Sequence, residues 1–268
     1  MDPYVFGGAL WGTLYSSAHA VTRCADDECL PALCTALCVL LRALRTCLPC
    51  EACRGTYDAH MQACHGAQGR DGVYTTPRAL LAAERAARAA GRPRADPAAA
   101  YPALHCIVRL DSVVRRKLGT GDNGGTLRVA RRVAALGGGY GGAHDVVYVL
   151  ALMATHAADC VDAAVRARRA RATCKFARSV CILLQRVDKY APLSAALHEA
   201  FPSAVPRSDA SDAQRVVRRV HAAWCAMHGV AHTAQCVEAA DLTRRVELAR
   251  GKLRDMPACY ARDAVPGQ

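Results

Sequence analysis

The chain has 268 residues, a formal charge of +12 from 35 basic and 23 acidic side chains, and 52% hydrophobic residues. That length builds one large domain or two of roughly 130 residues, so small size does not force its cysteines into structural staples. Fifteen cysteines are present, and only 5% of the chain is aromatic; the basic charge attracts acidic partners, but few rings are available to stack bases, so no specific nucleic-acid partner is expected.

The N-terminus, Met-Asp-Pro-Tyr, lacks the basic region of a cleaved secretory signal. Residues 7–9 (Gly-Gly-Ala) open an apolar helix that carries Trp11. Leu33, Leu37, Leu40, Leu41 and Leu44 then recur at the three-and-four spacing of a buried helical stripe over residues 30–46, with Pro31 in the first turn. The apolar run is interrupted by Arg42 and is shorter than a bilayer crossing requires, so no membrane span is expected. A further helix beginning near Pro49 places Cys50 in its first turn, where the positive end of the helix lowers a thiol's pKa.

Residues 66–100, rich in Gly, Arg, Ala and Pro, read as a solvent-exposed insertion; residues 82–90 are helix-prone but lack an apolar face. Leu104, Ile107, Val108, Leu110, Val114 and Leu118 restore a helical period that stops at Gly119-Thr-Gly121, with a linker over 119–125. Three more helical patterns follow, at 146–158, 161–187 and 213–250, the last broken near Gly229. No stretch alternates as a strand does, and the expected class is all-α, with domains over 1–125 and 126–268.

An internal echo runs through these patterns. At an offset of 143, residues 36–41 (Ala-Leu-Cys-Val-Leu-Leu) match residues 179–184 (Ser-Val-Cys-Ile-Leu-Leu), and the Gly-Gly-Ala of 7–9 recurs at 141–143. A diverged duplication accounts for this, as does coincidence. In the second copy, Leu193 and Ala196 stand where Cys50 and Cys53 stand in the first.

Eight of the cysteines fall within the first 64 residues. A disulfide scaffold, a metal site and thiol redox chemistry each explain such clustering. Cys47, Cys50, Cys53, His60, Cys64 and His65 supply enough thiolate and imidazole for tetrahedral zinc. Cys34 and Cys38, four apart on an apolar helix, read as core packing, as do Cys174 and Cys181. His19, His105, His156, His228 and His232 read as ordinary surface or core histidines, and the arginine runs at 128–132 and 166–171 as solvated helix faces.

Residues 48–54 (Leu-Pro-Cys-Glu-Ala-Cys-Arg) followed by Tyr57, set behind a long apolar helix and preceded by residues 7–11 (Gly-Gly-Ala-Leu-Trp), resemble the flavin-dependent Erv/ALR sulfhydryl oxidases, particularly their divergent viral members. Residues 111–119 are similar to the family's third landmark at Val114 and Leu118, and the resemblance covers roughly residues 5–121. Gly8, Tyr15, Thr56, Asp111, Ser112 and Arg115 depart from the family's pattern.

The resemblance implies an Erv-like four- or five-helix bundle that binds FAD, with a second helical domain that is either a degenerate copy or an unrelated interaction domain. It implies that Cys53 passes electrons to the flavin, that Cys50 exchanges with incoming protein dithiols, and that oxygen is reduced to hydrogen peroxide. Gly7, Trp11, Tyr15, Tyr57, Val114, Arg115, Lys117 and Leu118 would lie at the cofactor, and Cys24 with Cys29 would form a shuttle disulfide. It further implies a thioredoxin-like electron carrier, a homodimer or an internal pseudo-dimer, and a place in the host cytoplasm, nucleus or virion. The alternative from a different class is a zinc-stabilised helical interaction module of a virus.

Overall fold

The computed structural model describes residues 7–65, 76–92, 97–117, 125–135, 142–202, 206–233 and 237–254. Among them the chain is all-α, with no strand. The first group of helices is α1 (Gly8–Arg23), α2 (Leu30–Cys47), α3 (Glu51–His65), α4 (Pro77–Ala89), the short α5 (Pro97–Ala100), α6 (Pro102–Lys117) and α7 (Thr126–Ala135). The second is α8 (Ala143–Ala158), α9 (Ala163–Leu184), α10 (Ala191–Ala200), α11 (Arg207–Ser211), α12 (Ala213–Met227) and α13 (Val237–Arg254).

Local signals set the helix starts. Asp162 caps α9 by accepting the Val165 N–H at 2.9 Å, and Asp212 caps α12 through Arg215 N–H at 3.2 Å. Asp145 reaches back to Gly142 N–H at 2.9 Å to open α8. The break expected near Gly229 is present: this glycine takes φ +70°, a left-handed conformation that ends α12.

The insertion expected to be exposed is corrected over α4. Thr76 caps this helix, accepting Ala79 N–H at 3.3 Å, and Leu80, Glu84 and Ala87 are buried as α4 packs on α2 and α6. Glu84 is fully buried and accepts Ala103 N–H at 3.0 Å, so it caps α6 as well, while Arg92 pairs with it at 3.2 Å. A charged residue at the centre of the buried face hides this helix from a hydrophobic-period reading. Residues 66–75 and 93–96 lie outside the described residues.

The stripe of α2 is buried as its spacing dictates: Leu33, Leu37, Leu40, Leu41 and Leu44 all lie inside. Each such side chain contributes about 1.5–3 kcal/mol by leaving water. The helix extends to Cys47, and its 18 residues are long and apolar enough to cross a membrane, but 61% of that length is buried inside the protein. Its largest partner is α9.

Several pairings within the first group have counterparts in the second, although the extensive packing of α10 on α12 has none of comparable extent between α3 and α6. In the first, α1 lies on α6 and α7, α2 on α4, α4 on α6, and α6 on α7. In the second, α8 lies on α12 and α13, α9 on α11, α11 on α12, and α12 on α13. By this packing α7 goes with the first group. The groups meet through α2 on α9 and α1 on α8 and α9. Arg186, just beyond α9, pairs with Asp26, just before α2, at 3.2 Å. Arg54, just beyond α2, meets His156 near the end of α8, which leads into α9. α2 and α9 therefore run antiparallel.

Candidate redox site

α2 ends at Leu48, whose N–H still bonds the Leu44 carbonyl at 3.2 Å, and Pro49 prevents its continuation. The chain turns at once into α3, with Cys50 at the capping position: its carbonyl accepts the Arg54 N–H at 3.0 Å, the first bond of the new helix. Its sulfur accepts the Cys53 N–H at 3.2 Å, the role a serine or aspartate oxygen usually fills. Cys50 and Cys53 are joined as a disulfide, with Cα atoms 5.2 Å apart, and both are half-buried. On reduction, the same N–H and the positive end of α3 favour thiolate at Cys50.

Arg54 continues the motif. Its Nη1 donates to the Leu48 carbonyl at 2.5 Å and contacts His156 Nε2 at 3.1 Å. A guanidinium only donates, so this imidazole is neutral and carries its proton on Nδ1. Burial, with Arg169 and Arg54 alongside, lowers the His156 pKa to about 4 and keeps it so. The second group of helices thus reaches the disulfide of the first through a histidine that reads from sequence as ordinary. Arg54 was visible beside the cysteines; nothing in the sequence joined it to a residue 102 positions away.

The other cysteines divide by environment. Burial pushes the thiols of Cys34 and Cys38 up to about 12, and that of Cys47 higher still, so all three stay protonated and inert. Cys34, Cys38, Cys174 and Cys181 are core residues as expected. Cys24 and Cys29 are half-buried thiols around Asp26: Cys24 donates to its carbonyl oxygen at 3.1 Å and Cys29 to its Oδ2 at 2.9 Å. They sit at the opposite end of α2 from Cys50, about 27 Å away along an 18-residue helix. The structure therefore does not bring the shuttle candidates together with the Cys50–Cys53 pair.

The residues that the resemblance assigns to a flavin gather partly on α1 and α6. Gly7 precedes α1; Trp11 is half-buried with its ring 6.4 Å from that of Tyr15. Tyr15 is buried and donates to Asp111 Oδ2 at 2.7 Å, and Asp111 also accepts Arg115 Nε at 3.0 Å. Val114 is half-buried on α6. Tyr57 on α3 donates to the Leu41 carbonyl at 2.8 Å, and burial raises its pKa. The Lys117 side chain and Leu118 lie outside the described residues, as do the side chains of His60, Cys64 and His65. Among the described residues no three His, Cys, Asp or Glu side chains are grouped to hold a metal.

For a flavin, the aromatic side of this arrangement fits: Trp11 and Tyr57 are both half-buried aromatic residues at the edge of the core. The polar side is already engaged, since Asp111 holds Tyr15 and Arg115. A diphosphate would bind the exposed Arg116 rather than Arg115.

Comparison with protein-family models, with curated proteins and with solved structures gives no match in any of the three.

Proposed function

We propose that this protein is a thiol oxidase whose working group is the Cys50–Cys53 disulfide. The observation that carries the reading is the half-exposed disulfide at the start of α3, with the Cys53 N–H directed at the Cys50 sulfur. A substrate thiolate attacks Cys50 Sγ, the Cys50–Cys53 bond breaks, and its electron pair leaves on Cys53. The second substrate thiolate then attacks the substrate's own sulfur in the mixed disulfide. Cys50 thiolate departs, stabilised by the Cys53 N–H and the α3 terminus, and the substrate leaves as a disulfide.

The reduced pair must be reoxidised. Following the resemblance to the Erv/ALR oxidases, Trp11, Tyr57 and Arg116 would hold FAD, which would supply a two-electron acceptor and a route to oxygen. The overall change is dithiol plus O2 to disulfide plus H2O2. The shared pairings support reading α8–α13 as a degenerate copy of α1–α7, an internal pseudo-dimer in which Leu193 and Ala196 have replaced the cysteines. In this reading the substrates are protein dithiols, delivered directly or by a thioredoxin-like carrier.

The test is an absorbance spectrum, a metal analysis and dithiol-dependent oxygen uptake on one purified sample. A flavin band with oxygen uptake that Cys53→Ala abolishes is the expected result. A colourless protein with stoichiometric zinc would overturn it and return Cys47, Cys50 and Cys53 to metal binding.

A further inference from the structure

The packing of α8 on α12 brings together two histidines that the redox reading does not use. His144 is the second residue of α8 and His228 stands just beyond the end of α12, and their ring centres lie 5.0 Å apart. Both side chains are exposed, and among the described residues neither ring is held by a hydrogen bond or an ion pair. Each lies against the buried Trp224 of α12, His144 edge-on at 5.1 Å and His228 tilted at 5.2 Å, so the indole backs both rings. With Val237, Glu238, Asp241 and Arg245 of α13 they line a cleft of about 510 Å³.

The spacing of the two rings is that of ligands to one ion. An imidazole nitrogen lies about 1.1 Å from its ring centre, so two rings bound through nitrogens about 2.1 Å from a tetrahedral ion have centres about 5.2 Å apart. The observed 5.0 Å matches, and with 44° between their planes the rings are not stacked flat on one another. Neutral imidazole is the side chain that late first-row metal ions most often take as a ligand. The charges in the cleft are mixed: Asp241 pairs with Arg245 at 2.8 Å, the Arg245 guanidinium lies over the Trp224 ring at 5.6 Å, and Glu238 adds a second carboxylate.

We propose that His144 and His228 bind a divalent late first-row metal ion, of the zinc or nickel kind, as a two-imidazole clamp that ties the start of α8 to the end of α12. Among the described residues no third His, Cys, Asp or Glu side chain completes a cluster, so water fills the remaining positions and the ion is exchangeable. An ion held there stabilises the second group of helices by mass action. His156 lies three turns further along α8, roughly 18 Å away, so the clamp stands apart from the disulfide and does not depend on Cys50 being reactive.

The test titrates the full chain with nickel(II) chloride and follows both thermal unfolding and tryptophan emission; nickel avoids the thiol oxidation that copper(II) would bring. His144→Phe and His228→Phe each keep a ring against Trp224 while removing the ligating nitrogens. His198→Ala, at an exposed histidine of α10, is the control.

Nickel is expected to raise the unfolding midpoint by roughly 5 °C at a hundredfold excess over its half-saturating concentration, and to quench the emission of Trp224, which lies beside both ligands. Each Phe variant loses the shift and the quenching, His198→Ala keeps them, and magnesium, which takes oxygen ligands, produces neither. No shift in the unaltered chain, or a shift of the same size in both Phe variants, overturns the proposal. A shift that survives both Phe variants and comes with near-ultraviolet nickel–thiolate absorbance places the ion at cysteines and overturns it likewise.

Discussion

Cys50 and Cys53 face different surroundings once the bond between them opens. Cys50 has the Cys53 N–H at 3.2 Å and the start of α3 at its back, while Cys53 adjoins Arg54, whose guanidinium is drawn towards Leu48 and His156. The neutral imidazole of His156 is what allows Arg54 to point that way, because a protonated ring has no lone pair to offer. This makes a pH-dependent element. His156, like the buried His19, has its pKa lowered from 6.5 to about 4, mainly by burial. Between those values the unfolded chain binds more protons than the folded one, so stability falls as pH drops from about 6.5 to about 4 and changes little from this source above 6.5. Thermal unfolding across that window should show a declining midpoint. His156→Gln, which keeps an acceptor for Arg54 but does not titrate, should make the decline shallower by several degrees over the window; an unchanged slope would remove His156 from the account.

Among the elements, legibility followed the nature of the buried face. α2 and α9 were readable because leucines, valine and small residues at helical spacing have one physical reading when the segment is long. α8 was read from its helical pattern over 146–158, and α1 from the Gly-Gly-Ala that opens it. α4 was not, because its buried positions are Leu80, Glu84 and Ala87, and a fully buried carboxylate at the centre of the face looks like exposure. What makes Glu84 tolerable inside is tertiary: the Ala103 N–H and the Arg92 guanidinium, which also reaches the Thr22 carbonyl at 2.7 Å and the Ala100 carbonyl at 2.6 Å. None of these partners is adjacent in sequence. Glu84→Ala removes the carboxylate partner of Arg92 and uncaps α6, and should lower the unfolding free energy by about 1–3 kcal/mol in a denaturant titration. A loss below about 1 kcal/mol would show that α4 is peripheral, as the sequence reading had it. The candidate site was half legible for the same reason: the Pro-Cys-x-x-Cys run is local, whereas the contact of Arg54 with His156 exists only after α2 and α9 pack.

For the whole molecule, the antiparallel pairing of α2 with α9 sets what each end of α2 does. One end carries the Cys50–Cys53 disulfide, with the adjacent Arg54 against His156 of the second group of helices. The other carries Cys24 and Cys29 around Asp26, which is tied to Arg186 beyond α9. With the two pairs about 27 Å apart along α2, the account has substrate thiols reach Cys50 from outside rather than through Cys24 and Cys29 of the same chain. Its central claim, that Cys50–Cys53 is a disulfide that opens and closes in the folded protein, is tested most directly by alkylating the native chain and weighing the tryptic peptide spanning residues 46–54. That peptide holds Cys47, Cys50 and Cys53. The account predicts an unmodified peptide in the purified protein, exactly two alkyl groups after anaerobic treatment with one equivalent of a dithiol, and none again once air is admitted before the alkylating step. Cys47, buried and protonated, should stay unlabelled throughout. Alkylation of Cys50 and Cys53 before any reductant is added, or a pair that once reduced does not reoxidise in air, would contradict the account.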